Sequence, residues 1–220
     1  MLELGLKRNK TQKLSVLCLG AHADDIEIGC GGTMLKLAER FPKLEVRWVV
    51  FSADQKRRAE AVRSAGLFLA KVRKPTVEVC DFRDGFFPYN GGAIKEHFEQ
   101  LKTEYAPDII FTHYRHDLHQ DHRLICELTW NTWRHHLILE YEVPKFDGDL
   151  GNPNLFVPLD RAVLKRKIGY LLKCFRTQEN RHWFDEETFR ALPRLRGMET
   201  GGVAPYAEAF YSRKLVTLAD

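Results

Sequence analysis

The sequence is short of the features that mark several large protein classes. It has no apolar stretch long enough to span a bilayer. Its five cysteines, Cys18, Cys30, Cys80, Cys126 and Cys174, are odd in number and include no Cys-x-x-Cys pair. That argues against a disulfide framework and against a thiolate metal site, and for a reducing compartment, the cytoplasm. No Gly-x-Gly-x-x-Gly follows the first apolar run, which argues against a dinucleotide-binding turn. There is no internal repeat and no low-complexity segment. Excess charge is slight: 34 Lys and Arg stand against 30 Asp and Glu, a net of +4. The basic residues are spread out, with short clusters at Lys56-Arg57-Arg58 and Lys165-Arg166-Lys167. Such a balance does not call for nucleic acid. Lys7, Arg8, Lys10 and Lys13 precede an apolar run, as in a signal peptide. That run, residues 14–19, is too short for one and leads into a polar cluster, so a core strand fits it better.

What is present fits one globular domain over residues 1–220. The chain is long enough for one sizeable core, and 44% hydrophobic with 29% charged residues is ordinary. Apolar runs with strand character occur at 14–19, 44–51, 76–80, 108–112 and 137–143. Helical spacing occurs between and after them, at 29–40, 55–70, 94–105, 121–135 and 161–175. This alternation predicts an α/β fold with a three-layer, Rossmann-like architecture. Its mostly parallel sheet would carry helices on both faces. Ligands in such sheets bind beyond the carboxyl ends of the strands. Residues 144–160, with three prolines and two glycines, read as a long substrate loop. Residues 176–220 read as an Arg- and aromatic-rich C-terminal segment that, with this loop, shapes substrate choice.

Two polar constellations follow predicted strands. The first is Gly20-Ala21-His22-Ala23-Asp24-Asp25-Ile26-Glu27-Ile28-Gly29-Cys30-Gly31-Gly32. His22 and Asp25 are three apart, so a helical turn puts them on one side, within reach of one metal ion. Asp24 then points elsewhere and is free for other work. The simpler reading is a helix N-cap by Asp24 or Asp25. The glycines allow the backbone to pass close to a ligand. The second constellation is His113-Tyr114-Arg115-His116-Asp117-Leu118-His119-Gln120-Asp121-His122, with four of the nine histidines. His119 and His122 are again three apart. His22, Asp25 and one of His119 or His122 make a three-ligand site with an open position, as catalytic zinc has. Zinc lowers the pKa of bound water to about 7. Asp24 can take the proton, and the remaining histidine can donate to the oxyanion. Iron or another divalent ion would suit the same ligands.

Residues 21–33 resemble the signature of the LmbE-like, or PIG-L, family of N-acetylglucosaminyl deacetylases. His119-Gln120-Asp121-His122 is similar to that family's second signature. Arg57-x-x-Glu60, Arg196-Gly197 and Tyr206-Ala207-Glu208-Ala209-Phe210 are similar to further blocks of it. Two departures stand out: Ala23 replaces a frequent Pro, and His116-Asp117 replaces a more familiar Asn-Asp. The resemblance implies a zinc-dependent hydrolase that removes an N-acetyl group from a small amino-sugar substrate. It implies His22, Asp25 and His122 as zinc ligands and Asp24 as general base. His119 would stabilise the oxyanion, and Asp121 would orient His119. Arg57, Tyr206 and Glu208 would contact substrate. A homo-oligomer is compatible with this reading. Two alternatives compete: a metal-stabilised carbohydrate-binding protein without turnover, and a metal-dependent phosphohydrolase built on His116-Asp117.

Overall fold

A computed structural model describes residues 13–216. Lys7, Arg8 and Lys10, weighed above as part of a leader, lie outside the described residues, as do positions 217–220. Strands β1 (Leu14–Gly20), β2 (Leu44–Val50), β3 (Thr76–Val79), β4 (Ile109–His113) and β5 (Leu137–Tyr141) are separated by helices α1 (Asp25–Arg40), α2 (Gln55–Phe68), α3 (Gly91–Glu104) and α4 (Gln120–Thr132). Strand β6 (Leu155–Leu159), helix α5 (Arg161–Cys174), helix α6 (Glu186–Glu199) and strand β7 (Tyr206–Ser212) follow. These seven strands form one sheet in the order β3-β2-β1-β4-β5-β7-β6. The first five are parallel, and β7 runs antiparallel between β5 and β6.

The alternation of β1 shows why both sheet faces must be covered. Leu14, Val16 and Cys18 pack into a core with residues of α1, α2 and α5. Leu17 and Leu19 point the other way, into a core with Ile94 and Phe98 of α3 and Ile125 of α4. With no polar face left on the central strands, the sheet is stable only as the middle of three layers. The expected α/β architecture is therefore the observed one. Strand β1 lies between β2 and β4, so the chain reverses its direction of travel across the sheet there. The crevice beyond the carboxyl ends of β1 and β4 is where such folds place ligands.

One expectation needs correction. Residues 144–160 are not loop throughout, because residues 155–159 form the edge strand β6. Pro158 lies within it, and an edge strand tolerates proline because one side of its backbone needs no partner. The Arg- and aromatic-rich C-terminal segment contributes regular elements. It supplies α6 and the buried strand β7, whose pairing partners are distant in sequence.

The glycines of α1 also serve packing rather than a ligand. A Cβ at Gly29 would lie 2.1 Å from the Tyr141 ring, and one at Gly32 would lie 2.7 Å from Leu159. The helix thus rests directly on β5 and β6. Glu208 of β7 reaches into the middle of α1. It accepts from the Gly32 N–H at 2.7 Å and from the Thr33 N–H and hydroxyl, both at 2.6 Å. Lys167 of α5 pairs with Glu208 at 2.7 Å and donates to the Ile28 carbonyl at 2.6 Å. Both side chains are buried. Removing one member of a buried, fully bonded pair strands the other. Glu208→Ala should lower stability by about 3–5 kcal/mol, measured by urea unfolding followed by circular dichroism.

Candidate metal centre

The turn between β1 and α1 bends the chain back on itself. Asp25 Oδ2 accepts the His22 N–H at 2.6 Å, which turns the Asp25 carboxylate toward the His22 imidazole. Asp24 occupies the N-cap position of α1 but makes no side-chain capping hydrogen bond. The capping role weighed from sequence is therefore not what Asp24 does. At the other loop, His119 is the N-cap of α4, and its Nδ1 accepts the Asp121 N–H at 3.3 Å. His122 then projects from the first turn of α4 toward His22.

Three donor atoms converge where the loops meet. His22 Nδ1 lies 3.2 Å from His122 Nε2 and 3.4 Å from Asp25 Oδ2. His122 Nε2 lies 3.5 Å from Asp25 Oδ2. A tetrahedral ion with bonds of about 2.0–2.1 Å has its ligand atoms about 3.3 Å apart. The observed triangle matches one face of such a tetrahedron. All three residues line a cavity of about 200 Å³ that is also walled by Lys145, Phe146, Gln178 and Trp183. The residues present therefore fit a divalent cation with one exchangeable position.

The electrostatics fit as well. Burial first, then the neighbouring His113 charge, depresses His122 to about 4, so it is neutral and able to ligate. Burial opposes charge on His22, but Asp121, Asp25 and Asp84 outweigh it and raise the imidazole well above its ordinary value. Burial likewise opposes ionisation of Asp25, yet His122, His113 and His22 hold its carboxyl well below the usual range. In the ion-free chain, protonated His22 is thus the cation that offsets the clustered carboxylates. A metal would replace that proton with a larger charge.

Asp24 does not join the triangle. Its side chain is buried, Oδ1 accepts from Arg57 Nη2 at 2.7 Å, and Oδ2 has no hydrogen-bond partner among the described residues. Burial raises its carboxyl, Arg57 pulls it back and the Asp25 charge raises it again, leaving it above its ordinary value. Such a group readily takes up a proton. The His119 and His22 rings meet edge to face, with centroids 4.9 Å apart and planes at 75°. Burial, then the His22 charge, lowers its pKa, so it is neutral. Because Nδ1 accepts, the proton sits on Nε2, and His119 acts as a neutral donor.

Several expected roles move. Asp121 touches His119 through its backbone N–H and not through its carboxylate. The carboxylate accepts the Gly85 N–H at 2.7 Å and the Phe87 N–H at 3.1 Å, and Oδ2 lies 3.4 Å from His22 Nε2. Arg57 lines the cavity but is engaged with Asp24. Tyr206 and Glu208 lie on β7 and do not line this cavity. Tyr206 is buried opposite Leu159, and Glu208 holds α1. Sequence reasoning missed Asp117, whose Oδ2 lies 2.9 Å from His122 Nδ1 while its Oδ1 accepts the His119 N–H. It also missed Asp84, 3.0 Å from His22 Nε2. Asp117 carried a signal, five residues before His122, whereas Asp84 lies in a segment with no histidine near it in sequence. A carboxylate on the far nitrogen of a ligating imidazole fixes its tautomer, and its loss costs about 10- to 100-fold in metal affinity. Asp117→Asn should weaken zinc binding by that factor, measured by competition with a fluorescent chelator.

The chain is similar to solved structures over most of its length. N,N'-diacetylchitobiose deacetylase from Pyrococcus horikoshii is 23% identical over 90% of this chain and 83% of that chain, with a TM-score of 0.71. The conserved protein TT1542 from Thermus thermophilus is 19% identical over 94% of this chain and 97% of that chain, with a TM-score of 0.72. GalB, the 4-carboxy-2-hydroxymuconate hydratase from Pseudomonas putida, is 16% identical over 94% of this chain and 99% of that chain, with a TM-score of 0.70. At these identities the likeness establishes the fold, and one of the three is a hydratase. No curated protein matches the sequence. The family model described as PIG-L, GlcNAc-PI de-N-acetylase, matches residues 17–133, just over half of the chain. Because that stretch runs from within β1 to the end of α4 and encloses both loops that meet at the converging donor atoms, this chain belongs to the PIG-L family.

Proposed function

We propose that this protein is a metal-dependent hydrolase that removes an N-acetyl group from a small molecule containing an amino sugar. The observation that carries this reading is Asp24. It is a buried carboxylate beside three converging donor atoms, outside their triangle, with one oxygen unpartnered among the described residues. A binding protein needs the ligands but has no use for an uncommitted base. His22, Asp25 and His122 would hold the ion, with zinc favoured by the imidazole and carboxylate donors. Such an ion supplies Lewis acidity and an activated water.

The chain's own residues do the rest. Asp24 takes a proton from the attacking water and passes it to the leaving amine. Arg57 holds the Asp24 carboxylate in place through the bond to Oδ1. His119 donates its Nε2 proton in a hydrogen bond to the developing oxyanion. Residues 143–147, with Gln178 and Trp183, contact the remainder of the substrate. The family description and the P. horikoshii relative, each named for removing an acetyl group from an amino sugar, support this substrate class. The hydratase relative means that fold alone does not choose the reaction. The phosphohydrolase alternative loses its basis. His116 is exposed and packs on Tyr114, and Asp117 is committed to His122 and Lys145.

The deciding experiment is acetate release from a panel of N-acetyl amino sugars by zinc-loaded protein. Chelation should abolish the activity, and added zinc should restore it. Water addition to an unsaturated acid without acetate release would overturn the proposal. Asp24→Asn should lower kcat by about 100- to 10,000-fold while metal content and sugar binding stay unchanged in equilibrium dialysis. His119→Ala should lower kcat by about 100- to 1,000-fold with little change in metal content.

A further inference from the structure

The end of β3 and the middle of α3 bring together a second group of ligand-type side chains, none of them used by the centre at His22. His97 Nε2 lies 3.1 Å from Glu78 Oε1 and 3.7 Å from Cys80 Sγ. The three atoms all lie within 4.8 Å of one another. All three residues are half-buried. A single imidazole nitrogen carries at most one proton and serves one acceptor at a time. Here a carboxylate oxygen and a sulfur both aim at the same nitrogen. An ion shared by the three satisfies them together.

The surroundings hold this geometry. Arg47 Nη2 lies 3.1 Å from Glu78 Oε2, leaving Oε1 turned toward His97 and Cys80. The edge of the His97 ring meets Phe51 at 5.6 Å and 86° and faces Phe82 at 6.3 Å and 71°, which fixes the imidazole plane. Outer partners of this kind orient the ligands of protein metal sites.

We propose that Glu78, Cys80 and His97 form a second divalent-metal site, selective for zinc-like ions, with an open fourth position. Thiolate and imidazole together favour zinc and cobalt over magnesium and calcium. In the ion-free chain, Cys80 and Glu78 push His97 up to about 10, so the imidazole carries a proton. Metal binding displaces that proton to solvent. The ion fastens β3 to α3 at both ends of the segment 81–90. That segment carries Asp84 beside His22, and the Gly85 and Phe87 amides on Asp121.

Cobalt titration of the metal-stripped full chain tests this directly. Thiolate bound to cobalt gives a near-ultraviolet charge-transfer band. The His22 centre contains no cysteine, so that band does not arise there, and Cys80→Ser separates the second site from the other four cysteines. The wild-type protein should show the band and bind a second equivalent of cobalt. Cys80→Ser should lose both while keeping the first equivalent, and His122→Ala should keep the band. Absence of the band at cobalt concentrations that fill the His22 centre would overturn the proposal, with no variant needed. So would a band that survives Cys80→Ser. Neither result bears on acetate release, so this inference and the proposed hydrolase activity fail separately.

Discussion

Asp24 and Asp25 are adjacent in sequence, and both carboxylates are buried at the mouth of one crevice. Two negative charges in such a place repel each other and have lost their water. The fold persists only because positive charge is brought to them from elsewhere. Protonated His22 lies against Asp25, where His113 and His122 also bring ring nitrogens within 3.5 Å, and Arg57 reaches Asp24 from α2. Almost every structural feature near the centre follows from that need. The same arrangement leaves one carboxylate neutralised by ligand-type nitrogens and the other held by a guanidinium at one oxygen only. The proposed ligand and the proposed base are thereby neighbouring residues held by different partners.

Holding those charges in register requires rigid supports. Helix α1 carries Asp25 on its first turn, and the rest of its length is pressed onto the sheet where Gly29 meets the Tyr141 ring. Tyr141 in turn donates to the Leu19 carbonyl at 2.7 Å, tying β5 to the strand that delivers His22. Glu208 and Lys167 anchor the same helix from the far side. The buried pair contributes position more than stability, since buried ion pairs often do no better energetically than apolar packing. The second loop is fixed by Asp117, which binds the His119 amide and the His122 imidazole at once.

The fold does not by itself carry the chemistry. Structures of similar architecture include a sugar deacetylase and a hydratase. What distinguishes them must lie in side chains at the carboxyl ends of the strands and in the loops above. In this chain those loops are the segment after β5 and the segment between α5 and α6, which supply Lys145, Phe146, Gln178 and Trp183. Of these, Lys145 is already committed to Asp117 and Asp149. The aromatic and amide side chains of Phe146, Trp183 and Gln178 make up the rest of that wall.

The sequence by itself determined the layered α/β fold, because unbroken apolar runs such as residues 14–19 cannot be half-exposed and must be buried on both faces. It also marked His22, Asp24, Asp25, His119 and His122, because their spacing within each loop is local and helical periodicity acts on it directly. Choosing His122 over His119 at the triangle was different. It came from the family resemblance, and the geometry that matches it depends on the angle at which α4 leaves β4. Tertiary structure alone decided the partners that arrive from far along the chain. Asp84, Asp117, the pairing of Glu208 with α1 and the meeting of Glu78 and Cys80 with His97 are of this kind. No local periodicity encodes them, since each contact exists only after strands and helices have packed. Strand β7 shows the same limit: its residues alternate little, and its place between β5 and β6 was set by which sheet edge remained open.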